Sequence, residues 1–167
     1  MLLWFAGGSF VAVWAVFRSP ALDYRLVMLG AILPLGDLVY GGARPLHTLL
    51  ACVVVLLAVM LATRDRRLIR RQWLGLPIGM FLHLVLDGVW TRAHLFWWPL
   101  FGTSFGTGHA PELTRGVTVD LLLEVLGAVA LAWAWRRFQL ADPARRRRFL
   151  HTGQLSRDLM RGPEAGM

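Results

Sequence analysis

Five apolar stretches alternate with short polar connections along the chain, and this pattern predicts an all-helical protein. The stretches cover residues 2–17, 26–40, 46–62, 73–90 and 117–135. At about 1.5 Å of rise per residue, helices of this length approach or reach the thickness of the hydrocarbon core of a bilayer. We therefore expect an all-α integral membrane protein with a bundle of about five transmembrane helices in residues 1–135. A basic tail, residues 136–167, is expected to form a short surface helix followed by disorder.

The composition agrees with membrane insertion. Apolar residues make up 56% of the 167-residue chain, and the mean hydropathy is +0.53. The first apolar stretch lacks the basic start and the small-residue cleavage site of a signal peptide, so we expect it to be retained as a helix. The single cysteine, Cys52, lies inside an apolar stretch and excludes a disulfide framework.

All eighteen basic residues are arginines, and most lie in connections between apolar stretches. Residues 64–71 contain five arginines, and more follow residue 135. The positive-inside rule places both segments in the cytoplasm. The prediction is a multi-pass protein of the cell membrane with its amino terminus outside and its carboxyl terminus cytoplasmic. The arginines then indicate topology and contact with anionic lipid, with no nucleic-acid partner. The oligomeric state is left open.

The fourth apolar stretch contains His83 and Asp87, four residues apart. This spacing places both side chains on one face of a helix. An ionisable side chain costs a few kcal/mol at the centre of a membrane helix, so it normally faces a polar interior, pairs, or binds an ion. The pair therefore predicts a buried polar site.

Other ionisable residues share this depth in the predicted topology. Asp37 lies near the end of the second stretch, His47 near the start of the third, and Asp120 and Glu124 in the first two turns of the fifth. With His83 and Asp87 they form one layer in the outer half of the membrane, while the inner halves of the spans carry almost no charge. A set of imidazole and carboxylate groups at one level favours metal binding.

We expect a divalent transition metal, and zinc suits mixed nitrogen and oxygen ligands best, with manganese, iron or nickel as alternatives. His83 and Asp87 are the strongest ligand candidates, followed by His47 and Asp37. Such a site would activate water for hydrolysis at neutral pH. The candidates for catalytic or supporting roles are Asp37, Asp120 and Glu124. The connection over residues 91–116, with His94, His109 and a Trp pair, is a candidate lid.

These residues resemble a known family, the membrane-bound metal-dependent hydrolases, also described as inner-membrane-associated hydrolases. Three motifs carry the likeness, over about residues 30–101: residues 33–37 ending in Asp37, residues 44–48 containing His47, and Gly79 with His83, Asp87 and the later Trp98-Pro99. The resemblance implies a small multi-span hydrolase with a metal site.

The sequence departs from the family pattern at three positions. Leu35 replaces an Asp, Ala43 stands where a His is expected, and Thr48 replaces a Ser. The chain would then bind metal with a different set of ligands, including Asp120 or Glu124, or would have lost activity.

The predicted function is hydrolysis of an ester or phosphoester of a lipid or cell-envelope component. An alternative is a non-enzymatic membrane protein whose buried His/Asp cluster holds the helices together or serves a partner protein. A third reading, an ion pathway, is disfavoured by the uncharged inner halves of the spans. His94, His109 and His151 are more simply explained as incidental loop and tail histidines.

Overall fold

Helices provide all the regular secondary structure in the part of the chain that the computed structural model describes, residues 1–40, 45–103 and 115–159. The α-helices in chain order are α1 (Leu2–Phe17), α2 (Tyr24–Ile32), α3 (Leu49–Ala62), α4 (Arg67–Trp73), α5 (Gly75–Leu86), α6 (Ala93–Phe96), α7 (Val117–Arg137) and α8 (Pro143–Thr152). Short 3₁₀ helices lie at Leu33–Tyr40, Pro45–His47, Val89–Thr91 and Arg157–Leu159. The predicted all-α class is confirmed for these residues.

Polar side chains mark where three of the helices begin. Asp23 accepts hydrogen bonds from the backbone N–H groups of Arg25 and Leu26 at the start of α2. Thr48 does the same for α3, and Asp142 does so for α8. These oxygens satisfy amide groups that have no partner in the first turn of a helix. For α2 and α3 the cap lies where a polar connection meets an apolar stretch, whereas Asp142 caps a polar helix in the tail.

The second predicted span is not one continuous α-helix. Helix α2 ends at Ile32, and the chain continues as the 3₁₀ helix Leu33–Tyr40. Pro34 explains the change, because proline lacks an N–H and its ring clashes with the carbonyl four residues earlier. The connection over residues 41–44 lies outside the described residues.

The fourth predicted span is shorter than expected, and a helix precedes it. Helix α4 covers residues predicted to form a connection and meets α5 at Leu74, and α5 ends at Leu86. Gly88 then has φ 71°, a left-handed conformation that glycine adopts without steric cost. The backbone N–H of Asp87 still donates to the His83 carbonyl oxygen at 2.8 Å. The one-turn spacing between His83 and Asp87 therefore survives at the end of the helix.

Helices α2 and α5 are in very close contact. A Cβ added to Gly79 would collide with the backbone oxygen of Val27, and one added to Gly30 would collide with that of Leu76. Small residues of this kind let helix backbones approach closely. The contact fixes α5 against α2 next to His83.

The arginine-rich connections meet at one end of the molecule. The Tyr24 backbone N–H donates to the Gly153 carbonyl oxygen at 2.9 Å, and the Arg25 guanidinium donates to the Leu150 carbonyl. Gly75, which follows α4, lies against the Asp23 carbonyl oxygen, 2.7 Å from the position of an added Cβ. The connection before α2, the α4–α5 junction and the tail are therefore neighbours.

The tail is better packed than the sequence suggested. Helix α8 is present as expected, but Leu155 after it is only 2% exposed. Leu155 joins Phe138 and Leu140 in a core with Phe10 and Tyr24. Residues 160–167 lie outside the described part of the chain, so the expected disorder is not tested.

Among the described helices, α7 is the one that is long and apolar enough to cross a membrane. Only 11% of its most apolar segment is buried inside the protein. Helices α1 and α3 are apolar but shorter. Many large apolar side chains on α3 and α7 are exposed, including Leu57, Leu61, Leu121, Leu122 and Val129.

Candidate metal centre

Three buried side chains converge on one point at the end of α5. His47, His83 and Asp87 each offer a ligand atom, and these atoms all lie within 4.8 Å of one another. Both histidines are 0% exposed, and Asp87 is 1% exposed. His47 ends the 3₁₀ helix before α3, whereas His83 and Asp87 come from the last turn of α5 and its cap. We call this set the His/Asp group.

Asp37 orients His47. Its Oδ2 lies 3.0 Å from His47 Nδ1 and also accepts a hydrogen bond from the Leu46 backbone N–H at 3.0 Å. An ionised carboxylate can only accept, so His47 Nδ1 carries the proton. In a neutral ring the lone pair then lies on Nε2, the nitrogen that a metal would bind. A carboxylate behind a ligating histidine is a common feature of metal sites.

A backbone carbonyl holds His83 in the same way. His83 Nδ1 lies 2.7 Å from the Ala31 carbonyl oxygen on α2. Because a carbonyl can only accept, Nδ1 is the donor and Nε2 carries the lone pair of the neutral ring. Phe5 packs on the His83 ring with centroids 4.0 Å apart, and the His47 and His83 rings meet edge to face at 5.1 Å. Both imidazoles therefore have fixed orientations.

The size of the His/Asp group is close to that of a site for one ion. Zinc binds His nitrogen and carboxylate oxygen at about 2.0–2.2 Å in a tetrahedral arrangement, so two donors on one ion are about 3.4 Å apart. The ligand atoms lie within 4.8 Å of one another, so the longest distance between them would shorten by up to about 1.4 Å on binding. The buried His47, His83 and Asp87 group could therefore hold a metal ion.

Asp87 also has a cationic neighbour. Arg115 Nη2 lies 3.1 Å from Asp87 Oδ1 and donates a hydrogen bond to the Asp87 backbone carbonyl. The Asp87 side chain is 0% exposed, and that of Arg115 is 22% exposed. A carboxylate has two oxygens, so Asp87 can hold Arg115 through Oδ1 and offer Oδ2 to a metal.

Glu124 contacts a different part of the protein. Its carboxylate accepts hydrogen bonds from the backbone N–H groups of Leu3, at 3.1 and 3.2 Å, and of Trp4, at 3.4 Å. The amino terminus of Met1 lies 3.9 Å away. A carboxylate at this place satisfies amide groups and complements the helix dipole. These contacts give Glu124 a role in joining α7 to the start of α1.

The remaining candidates are placed as follows. Asp120 lies in the first turn of α7 with its Oδ1 buried, and this atom has no hydrogen-bond partner within the described part of the chain. His94 is exposed on α6, and His151 is exposed on α8. His109 and Ala43 lie outside the described residues, as does most of the candidate lid. Thr48 caps α3.

The sequence pattern did not identify Arg115 as part of the site. Its position could have indicated it, because it lies two residues before the fifth apolar stretch, on the side that the positive-inside rule assigns to the exterior. The partner of His83 could not have been found in this way, because it is a backbone carbonyl.

Comparisons of the chain with protein-family models, with characterised proteins and with solved structures give no match. The His/Asp group and its surroundings are therefore the basis for proposing a function.

Proposed function

We propose that this chain is a multi-pass membrane protein with a metal-dependent hydrolytic site, acting on an ester or phosphoester of a lipid or envelope component. The observation that carries the proposal is the His/Asp group. Three buried ligand atoms lie within 4.8 Å, and both imidazoles are held through Nδ1 by oxygen acceptors. Two imidazoles and a carboxylate form a ligand set found in catalytic zinc sites, so zinc is the proposed metal.

The exposed apolar surface supports a membrane location. Helix α7 is apolar, yet 11% of its most apolar segment is buried, unlike the core helix of a water-soluble protein. Soluble monomers rarely expose large contiguous apolar patches. The proposal therefore places α7, together with α1, α3 and the α2 and α5 regions, in the bilayer.

The orientation follows from the two ends of the bundle. The arginine-rich segments gather near Asp23 and Gly153, whereas the His/Asp group lies at the opposite end of α5. The positive-inside rule then gives a cytoplasmic arginine end and an extracytoplasmic site. Substrates at that depth come from the outer leaflet or the envelope.

The residues of the site have distinct roles in this proposal. A bound divalent metal would supply a Lewis acid that polarises an ester or phosphoryl oxygen and makes water more acidic. His47, His83 and Asp87 hold it, and Asp37 fixes the ring of His47. Asp120, at the start of α7, is not among the residues whose ligand atoms converge, but its buried carboxylate oxygen makes it the remaining candidate for a general base.

A second candidate function has its own supporting observation. The ion pair between Arg115 and Asp87 compensates the buried carboxylate without a metal. With the contacts of Asp37 and Ala31 to the histidines, it could serve only to join helices, as in a non-enzymatic membrane protein. Intramembrane polar contacts of this kind contribute about 0.6–2 kcal/mol each.

Metal content separates the two candidates. Purified full-length protein should contain one zinc per chain after reconstitution, and His83→Ala and Asp87→Ala should each reduce this to background while the protein remains in the membrane fraction. His94→Ala is the matched control, since His94 is exposed, and it should keep its zinc. Elemental analysis makes the measurement. Wild-type protein without stoichiometric metal would favour the structural candidate.

A further inference from the structure

Helices α1 and α3 both pack against α5, but they make little contact with each other. The space between them is an apolar groove of about 430 Å³. Its floor is formed by four residues of α5, Pro77, Ile78, Phe81 and Leu82, and residues of α1 and α3 form its two sides. At 3.6 residues per turn, His83 lies on the other side of α5 from this floor. The groove is therefore separate from the His/Asp group.

The groove is open along its length to the outside of the bundle. Several lining side chains are partly exposed: Val16 by 74%, Phe17 by 53%, and Val53 and Phe81 by 42% each. The lining side chains are hydrocarbon except for the thiol of Cys52, so they offer a polar ligand no partner. In the proposed membrane location, α1, α3 and α5 lie in the bilayer, and the open side of the groove faces lipid.

One end of the groove lies where the arginine-rich connections meet. Phe17, the last residue of α1, lines the groove, and the exposed Arg18 follows it directly. Pro77 also lines the groove, two residues after Gly75, which lies against the Asp23 carbonyl oxygen. The positive-inside rule assigns this end to the cytoplasmic leaflet, where arginines attract anionic lipids. Anionic phospholipids are therefore the lipids that gather at this end of the groove.

We propose that the groove binds an acyl chain of one anionic phospholipid from the cytoplasmic leaflet, with the headgroup at the arginine end. This inference rests on the proposed membrane location and orientation, and it does not depend on the metal centre.

The size of the groove favours a hydrocarbon chain over a helix from a second copy or a partner protein. The lining residues of α3 run from Leu49 to Leu56, a distance of about 10 Å along the helix axis. A helix about 10 Å wide would occupy about 800 Å³ over this length, nearly twice the volume of the groove. A helix could enter only if α1 and α3 moved apart, whereas an acyl chain is narrower and flexible.

A bound chain would also supply packing that α1 and α3 do not give each other. Side chains that line a void lose the contacts they would make with atoms on its other side. In a bilayer, where lipid tails are as apolar as the side chains, such packing contacts are a main source of helix association. The chain is therefore expected to stabilise α3 against α1 and α5.

Native mass spectrometry of the full-length protein tests the site. The protein is purified in detergent, depleted of lipid and titrated with dioleoyl phosphatidylglycerol, which is anionic. The comparison ligands are dioleoyl phosphatidylcholine, which has no net charge, and glycerophosphoglycerol, which has the anionic headgroup and no acyl chain. We expect one phosphatidylglycerol per chain, about fivefold weaker binding of phosphatidylcholine, and no detectable binding of glycerophosphoglycerol.

Two pairs of variants locate the chain on the two sides of the groove. Ala12→Trp on α1 and Val53→Trp on α3 fill the groove and should each weaken phosphatidylglycerol binding about tenfold or more. The matched controls are Ala15→Trp and Val54→Trp, because both residues are exposed and neither lines the groove; they should bind as the wild type does. Added phosphatidylglycerol should raise the Tm of the wild type and the controls, but not of the groove variants.

The outcomes separate this inference from the proposed function. Equal binding by the groove variants and their controls overturns the site, and equal binding of the two phospholipids overturns the anionic headgroup. Glycerophosphoglycerol that binds as tightly as phosphatidylglycerol overturns the acyl chain. A dimer that Ala12→Trp disrupts and Ala15→Trp does not would assign the groove to a second copy. Protein that stays in solution without detergent refutes the membrane location, whereas membrane-bound protein that forms no complex with phosphatidylglycerol refutes only this inference.

Discussion

At the residue scale, metal binding depends on which ring nitrogen each histidine presents. His47 and His83 both use Nδ1 for an oxygen acceptor, Asp37 in one case and the Ala31 carbonyl in the other. Nε2 is then the nitrogen through which each ring would bind a metal, and ligand atoms of both histidines converge with one of Asp87. Acceptors placed in this way fix ring orientation and raise the basicity of a ligand.

Asp37→Asn tests this role. Asparagine keeps an oxygen that can accept from His47 and Leu46, but it loses the charge, so zinc affinity should fall about 10- to 100-fold. His47→Ala removes the ligand and should abolish stoichiometric binding. Competition with a chromophoric zinc chelator measures both. Asp65→Asn, at an exposed carboxylate between α3 and α4, is the control. Equal affinities for the Asp37 and Asp65 variants would contradict an orienting role.

Sequence spacing could predict part of this site. Two ionisable residues four apart in an apolar stretch were enough to select His83 and Asp87, because helical periodicity stacks them. The common depth of Asp37 and His47 in the predicted membrane added these two residues to the candidate site. The same argument also selected Glu124, which instead contacts the start of α1. Depth alone does not say which helix a side chain faces, and that depends on packing.

At the element scale, the contact between α2 and α5 brings Ala31 next to His83. Gly30 and Gly79 allow it, since a Cβ on either would collide with the backbone of the other helix. Such backbone contacts cannot relax by rotating a side chain. Metal binding and helix packing are therefore coupled through one interface.

Gly79→Ala should reveal the coupling. The added methyl group would force α5 away from Val27 and Ala31, so we expect a loss of about 1–3 kcal/mol of stability together with weaker zinc binding. Gly8→Ala is the control, because its Cβ would meet only the flexible end of Leu86, at 3.1 Å. Thermal unfolding in detergent and zinc titration make the comparison. If the two variants behave alike, the close contact does not support the site.

The ends of these elements were only partly predictable. The apolar pattern located α1 well, with the same bounds as the first predicted stretch, because nothing inside it interrupts a helix. Pro34 changes the second stretch to a 3₁₀ helix, and Gly88 with the preceding cap ends the fourth early. Apolar composition sets which residues avoid water, whereas proline and glycine set where the backbone can remain helical.

At the scale of the whole molecule, the arginine-rich segments and the His/Asp group lie at opposite ends. The connection before α2, the junction before α5 and the tail contact one another at the arginine end. The His/Asp group is at the other end of α5. The distribution of arginines in the sequence indicated this polarity, but not that Leu155 and Gly153 of the tail would pack against the helices.

Topology can be tested with the full chain. A green fluorescent protein fused after the last residue should fluoresce in cells, and an alkaline phosphatase at the same position should be inactive, because both report a cytoplasmic carboxyl terminus. Fusion at the end leaves the docked residues 153–155 in place. An active phosphatase with a dark fluorescent fusion would invert the orientation and put the His/Asp group on the cytoplasmic side.

Zinc-edge X-ray absorption of the reconstituted wild-type protein gives the decisive test of the proposed metal centre. We expect one zinc per chain with two imidazole nitrogens at about 2.0–2.1 Å and carboxylate or water oxygen at about 2.0–2.2 Å, and with the imidazole signal reduced in His83→Ala. A spectrum without imidazole scattering, or a protein that takes up no zinc, would contradict a metal centre formed by His47, His83 and Asp87.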